Sequence, residues 1–229
     1  MTNLVLVEVD CRWDDSRCQS AQQSLPPEVQ ARAQRYRCQR ARRSLLASQT
    51  VLRQVLDRLG IDQAKLTVCP KGRPYLKDCD LQFNLSHSEH RCVLAFAKDR
   101  QLLEALGVDV EWIGRTVERD ALAQRFFTQQ EYRYTQGSEL NFFRVWTRKE
   151  AVLKSNGIGL RVPLDSFEVL SDNISPEVTG RGLVLGTQLR AGDYVVSWAL
   201  ASDWAGNQTL WFDTDGENWL DRVAEGITG

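Results

Sequence analysis

The sequence has almost no net charge: 29 Lys and Arg against 30 Asp and Glu leave −1 over 229 residues. A globally basic field for binding polyanions is thereby excluded, although local patches of each sign can hide inside the balance. Long apolar runs are also missing. The longest, Val93 to Ala97, falls far short of the ~18–20 residues that span a bilayer, so no membrane association is expected. Met1 to Asp10 lacks a cationic stretch followed by an apolar one, so no secretory leader is expected. No C-x-x-C pair occurs, and the cysteines at 11, 18, 38, 69, 79 and 92 read as reduced thiols of a cytoplasmic protein. A zinc site built from Cys92, His87 and His90 matches no standard ligand spacing. There is no G-x-S-x-G, no phosphate-cradling G-x-x-x-x-G-K and no G-x-G-x-x-G after a strand. Triad hydrolases, P-loop enzymes and dinucleotide binders are set aside on that ground.

What is present fits a folded chain. Hydrophobic residues make up 42% and charged ones 26%, and the length suits one large domain or two small ones. Leu4 to Val9 reads as a strand. A helical pattern runs from Pro26 to Leu59, with Ala41, Leu45, Leu52, Leu56 and Leu59 on one stripe and Gly60 as the stop. Strands are expected at Leu66–Cys69, Leu81–Leu85, Cys92–Ala97 and Gly107–Trp112, with a turn-rich loop at Pro70–Pro74. The second half echoes the first: helices over Glu118–Gln136 and Glu139–Ser155, then strands near Ser166–Leu170, Leu183–Leu189 and Tyr194–Ala201. Asp203–Gly229 reads as a surface-wrapping tail.

Four features can carry chemistry. Arg32, Arg35, Arg37, Arg40, Arg42 and Arg43 crowd one stretch, with no acid between Glu28 and Asp57. Guanidinium forks suit phosphate oxygens, and a merely solvated helix face usually mixes signs. Asp109 and Glu111 project from one side of a strand, and such carboxylates repel unless a cation lies between them. Hard oxygens of this kind suit Mg²⁺. Trp146, Glu150 and Lys154 stack on one helix face beside Lys149. Finally, Asn84-Leu85-Ser86-His87-Ser88 puts a histidine at a strand end, where it can contact phosphate or relay a proton. Each feature also has a plain reading: a solvated face, a polar strand edge, an exposed ion pair, a structural loop histidine.

Together, in this order and spacing, the motifs resemble the 4′-phosphopantetheinyl transferase superfamily, in particular its longer, monomeric Sfp-type members. Lys71-Gly72-Arg73-Pro74 with Asn84 to Ser88 resembles the first motif. Gly107-Val108-Asp109-Val110-Glu111 resembles the second, and Trp146 to Lys154, spaced W-x-x-K-E-x-x-x-K, the third. Arg125-Phe126-Phe127 and Gly157 to Leu160 fit as well, and the likeness spans about residues 26 to 170.

The resemblance implies an α+β fold of two similar halves, 1–106 and 107–229. Each is a small antiparallel sheet on a long helix, the two are related by a pseudo-twofold, and coenzyme A lies in the cleft between them. It implies transfer of the phosphopantetheine arm of coenzyme A to a serine of an apo acyl or peptidyl carrier protein, releasing adenosine 3′,5′-bisphosphate. Asp109, Glu111 and Glu150 would gather around Mg²⁺ and the diphosphate. Glu150 would deprotonate the serine, directly or through a metal-bound water, and Lys154 would stabilise or protonate the departing phosphate. Arg43 would hold the 3′-phosphate, with His87 beside it or the diphosphate. Lys71, Gly72, Arg73 and Pro74 would line the adenine side, and Asn84, Leu85 and Ser86 the nucleotide pocket. Lys149 would contact phosphate or orient Glu150. Relatives with lysines before the helix arginines contrast with Glu28, Gln30 and Ala31 here, so Arg32, Arg35 or Arg40 can share Arg43's task. Competing readings are a Mg²⁺-dependent phosphodiesterase or nuclease, and a nucleic-acid-binding module built on the Arg-rich helix. The transferase reading needs neither nucleic acid nor membrane as a partner.

Overall fold

The computed structural model describes residues 3–69, 72–98, 106–155, 162–204 and 208–229. The chain divides into two compact units: Met1–Thr67 with Pro74–Lys98 and Gly206–Gly229, and Val68–Arg73 with Asp99–Ala205.

The first unit is built on a four-stranded sheet in the order β10-β1-β5-β4. β1 (Leu4–Asp10) alternates poorly in sequence because it is buried on both faces, with Leu4 to Val7 fully covered. α1 (Asp15–Ser24), α2 (Pro27–Arg35) and α3 (Gln39–Arg58) follow it. Leu45, Leu52 and Leu56 of α3 join Val5, Val7, Leu94 and Phe96 in one core. Short β2 (Leu66–Val68) and β3 (Pro74–Leu76) flank the turn at Gly72, whose φ of +86° a side chain would resist. β4 (Leu81–Ser88) and β5 (Arg91–Lys98) form a hairpin with His87 opposite Cys92.

The second unit begins with β6 (Leu106–Trp112), then α4 (Arg119–Phe126), α5 (Gln129–Thr135) and α6 (Glu139–Ser155). β7 (Asn173–Ile174), α7 (Pro176–Thr179), β8 (Leu183–Arg190) and β9 (Tyr194–Ala201) complete it. Its antiparallel sheet runs β6-β9-β8-β7. Phe142, Val145, Val152 and Leu153 of α6 share a core with Leu185, Val195 and Ala199. Gly107 sets the approach of helix to sheet: a Cβ there would stand 2.0 Å from the Ala151 carbonyl oxygen. Both units are therefore α+β, each a four-stranded sheet with one long helix.

Four expectations change. The helix expected from Pro26 to Leu59 breaks at Tyr36–Cys38, inside the arginine cluster, where like charges three apart weaken a continuous helix. The helix over Glu118–Gln136 breaks at Phe127–Thr128, and Thr128 with Glu131 forms a reciprocal capping box that starts α5. Ser166–Leu170 is no strand, because its backbone groups bond side chains instead of a ladder: Val169 N–H donates to Glu131 and the Val169 carbonyl accepts from Arg148. The tail is not a surface wrap. β10 (Thr209–Asp213) pairs parallel with β1, and α8 (Trp219–Thr228) buries Val223 and Ile227 in the first unit's core. The boundary expected at 107–229 is corrected accordingly, since the chain's end belongs with its beginning. The sequence also gave no warning of α1, which buries only Cys18 and Ala21 and starts at the Asp14 cap. Residues 99–105 and Gly157–Leu160 lie outside the described residues.

Candidate active site

The expected carboxylates Asp109, Glu111 and Glu150 all belong to the second unit. Asp109 and Glu111 leave β6 on one side, opposite Ser197 and Val195 of β9. Asp109 is only 5% exposed. α6 packs across β6 and brings Glu150 and Lys154 to the same place: Lys154 Nζ donates to Asp109 Oδ1 at 2.7 Å. Arg115 donates to Glu111 Oε1 at 3.0 Å. The Glu150 carboxyl is pushed above the usual carboxylate range, first by burial, then by the charge of Asp109, with Glu111 adding to it and Lys154 opposing. Two other carboxylates are thus felt at Glu150, the residue that the resemblance, not the strand spacing, grouped with them.

Among the described residues, no trio of His, Cys, Asp or Glu stands at metal-holding distance. The donor set nonetheless suits a hard divalent cation: carboxylate oxygens only, from two elements, with Asp109 and Glu111 both raising the cost of ionising Glu150. In this form Lys154 supplies the positive charge beside Asp109.

Lys149 is elsewhere. Its ammonium is 1% exposed, pairs with Glu131 at 2.8 Å, and donates to the Leu164 and Phe167 carbonyls at 2.6 Å each. It touches neither Glu150 nor an open surface, so both roles expected for it are corrected: a helix residue 100° round from Glu150 faces the core. Burial lowers its pKa, and Glu131 opposes that. Arg148 is equally buried and ties Thr187, the Val169 to Ser171 carbonyls and Asp172 together. Trp146 stacks on Phe142, with centroids 6.0 Å apart, and meets Phe126 and Phe127. Arg73 reaches the end of α6, donating to the Lys154 carbonyl at 2.8 Å and to the Leu106 carbonyl at 3.0 Å. A cation there meets the negative end of the helix dipole. Lys71 lies outside the described residues, and Gly72 and Pro74 bracket Arg73 without contributing a side-chain donor.

In the first unit the cationic end is assembled around α3. Arg40 pairs with Glu89 in the β4–β5 turn, and Arg43 pairs with Asp15 at 3.0 Å. Acid partners absent from the neighbouring sequence thus arrive from α1 and the hairpin. Arg42 and Arg43 line a pocket of about 550 Å³ with Asp15, Gln22, Gln39 and Leu46. The buried Nε of each arginine has no hydrogen-bond partner among the described residues. His87 is exposed, and it shares its side of the sheet with its ladder partner Cys92, whose thiol reaches the Ser44 carbonyl of α3. Asn84 and Ser86 are buried and point to the opposite side of β4 from Leu85 and His87. The three-residue nucleotide pocket expected from Asn84, Leu85 and Ser86 therefore divides between two faces.

Sequence reasoning missed Glu131, Asp172, Arg115 and Asp15. Only Glu131 had a local signal, the Thr-x-x-Glu spacing of a capping box.

Comparison with known proteins converges on one family. Residues 105–201 match the 4′-phosphopantetheinyl transferase superfamily, and residues 12–99 match the 4′-phosphopantetheinyl transferase N-terminal family. The 4′-phosphopantetheinyl transferase HetI of Nostoc sp. strain PCC 7120 is 34% identical over 167 residues, 68% of each chain. Sfp of Bacillus subtilis strain 168 is 30% identical over 63% of this chain and 66% of its own. Gsp of Aneurinibacillus migulanus is 31% identical over 56% of this chain and 53% of its own. The chain belongs to the 4′-phosphopantetheinyl transferase superfamily and is a transferase of that class. The nuclease and nucleic-acid-module readings are set aside.

Proposed function

We propose that the chain moves the phosphopantetheine arm of coenzyme A to a serine hydroxyl of an apo acyl or peptidyl carrier protein, leaving adenosine 3′,5′-bisphosphate. The observation that carries this reading is the convergence of Asp109, Glu111, Glu150 and Lys154, three carboxylates and an ammonium from β6 and α6. Asp109, Glu111 and Glu150 would hold Mg²⁺. When bound, that ion offsets the diphosphate's charge and the charge that builds there during transfer. Glu150 takes the serine proton, and its raised proton affinity suits a general base. Lys154 turns its ammonium to the departing phosphate. Arg43, with its half-buried guanidinium beside a polar pocket, binds the 3′-phosphate, and Arg42 lines the same pocket. His87 adds a phosphate contact at the hairpin end of the same unit. Exposed Arg32, Arg35 and Arg37 present a positive surface that steers an acidic carrier protein.

We further propose that it acts as a cytoplasmic monomer. Two family halves in one chain and six free cysteines support this. No described helix is long and apolar enough to cross a membrane. The test is a transfer assay with coenzyme A, Mg²⁺ and apo carrier proteins from fatty-acid, polyketide and nonribosomal-peptide systems. A mass gain of one phosphopantetheine on a carrier, lost with Glu150→Gln, is expected. An unmodified panel, with wild type and Glu150→Gln alike, would sink the reading.

A further inference from the structure

Two thiols that the transfer chemistry does not use lie in contact. Cys11 directly follows β1 and Cys92 is the second residue of β5, and their sulfurs are 3.1 Å apart. Both are buried, at 1% and 0% exposure. The strand register accounts for the meeting. Val9 stands opposite Cys92, and the Cys11 N–H donates to the His90 carbonyl at 2.8 Å. Cys11 is therefore the diagonal neighbour of Cys92 on one sheet face, within side-chain reach. The Cys92 thiol also donates to the Ser44 carbonyl at 3.5 Å, one residue past Arg43 on α3, and Cys92 is the ladder partner of His87.

We propose that Cys11 and Cys92 form a disulfide when the protein meets hydrogen peroxide, and that closing this bond weakens coenzyme A binding at Arg43 and His87. One sulfur attacks the peroxide O–O bond, giving a sulfenic acid and water. The second sulfur attacks the sulfenic sulfur, so an S–S bond forms, the S–O bond breaks and a second water leaves with the remaining thiol proton. The two thiols are oxidised by two electrons and one peroxide is reduced to two waters.

A disulfide bond is about 2.05 Å long, so the sulfurs close by about 1 Å and no strand changes register. That movement draws the Cys92 sulfur from the Ser44 carbonyl, whose S–H donor is lost. The displacement falls where α3 and β4 carry Arg43 and His87. Full burial admits only a small neutral oxidant, and the hydrogen bond from Cys11, then burial, hold the Cys92 pKa high, so the reaction is slow beside that of an exposed thiolate. Exposed Cys38 differs: backbone N–H groups at the start of α3 lower its pKa, and it oxidises first.

The binding effect rests on the proposed roles of Arg43 and His87, so two readouts are kept apart. The full-length protein is treated with hydrogen peroxide, alkylated and digested without reductant. The expected product is a peptide pair joined through Cys11 and Cys92, released by dithiothreitol. Coenzyme A titrated calorimetrically should bind about fivefold or more weakly after oxidation, the lower end of ordinary site coupling, and recover on reduction. Cys11→Ala should lose both effects while binding coenzyme A like the reduced wild type. It decides the matter alone if Cys92→Ala does not fold. Absence of the joined peptide from folded protein whose Cys38 has been oxidised overturns the proposal, and so does a joined peptide with unchanged affinity. Should the reduced protein bind coenzyme A yet transfer nothing, the functional reading fails while the peptide map still decides the dithiol.

Discussion

Two sides of α6 carry the same charge to different ends. Lys149 faces the core, enclosed by Glu131 and two carbonyls, and Lys154, five residues on, stands half-exposed against Asp109. A fully buried ammonium has lost its water and must be satisfied from every direction, which fixes it. A half-exposed one retains access to solvent, so it can exchange one partner for another. On the proposed roles, the motif's two lysines divide between architecture and chemistry, and the same reasoning separates Arg148 from Glu150.

The comparison breaks most sharply at Glu150. Glu150→Gln removes the proposed base but leaves the helix face intact, so transfer should fall by about 10²- to 10⁴-fold. Melting temperature should hold or rise, because a desolvated carboxyl repelled by two others is removed. A transfer assay beside a thermal melt checks this, and collapse of the fold would place Glu150 on the architectural side. Lys149→Met is the converse. It leaves Glu131 charged at 0% exposure, and a loss of about 3–5 kcal/mol is expected in denaturant unfolding. Glu131→Leu combined with Lys149→Met should recover only part of that: the unpaired buried charge is gone, but the Val169 and Thr128 N–H groups and the Leu164 and Phe167 carbonyls still lose their partners. A double variant as unstable as the sum of the singles would mean the two residues act separately.

The same distinction explains what could be read in the sequence. Strands β1, β4, β5, β6, β8 and β9 and helix α6 announced themselves, because their patterns are local. So did two pairs, Asp109 with Glu111 and Glu150 with Lys154, which follow from a strand period of two and a helix period of 3.6, while the meeting of the two pairs was implied only by the family resemblance. Lys149 did not, because its partner Glu131 lies on another helix and its carbonyl acceptors on a segment that mimics a strand in composition. The arginine cluster was half legible in the same way: its own stretch has no acids, and its partners Asp15 and Glu89 approach from distant sequence. The C-terminal return was illegible for a third reason: β10 is only five residues long, and parallel pairing with β1 leaves no hairpin signal.

Arg73 tests whether the chemical side of α6 depends on an anchor. Its guanidinium holds the Lys154 and Ser155 carbonyls, the last of the helix. Arg73→Ala should cost about 1–2 kcal/mol, the scale of a partly buried cation at a helix C-terminus. Transfer should fall with it as Lys154 loses its backbone support, and a denaturation curve measured beside kcat and KM reads both. Stability lost with transfer unchanged would show that Lys154 keeps its place without Arg73.

The smallest effect is expected at the α3 end, where charge is densest in sequence. Arg40 pairs with Glu89, but its side chain is 49% exposed, so water screens the attraction and two long side chains lose freedom in holding it. Arg40→Ala should therefore change unfolding free energy by less than about 1 kcal/mol, and a double-mutant cycle with Glu89→Ala should return a coupling of similar size that shrinks in high salt. Lys149 stands at the opposite extreme, with one ion pair, no exposure and several kcal/mol at stake. If the Arg40 cycle instead gave more than about 2 kcal/mol, undiminished by salt, exposure would not be what separates architectural cations from the rest. The buried carbonyl cage around Lys149 would then need another explanation for its weight.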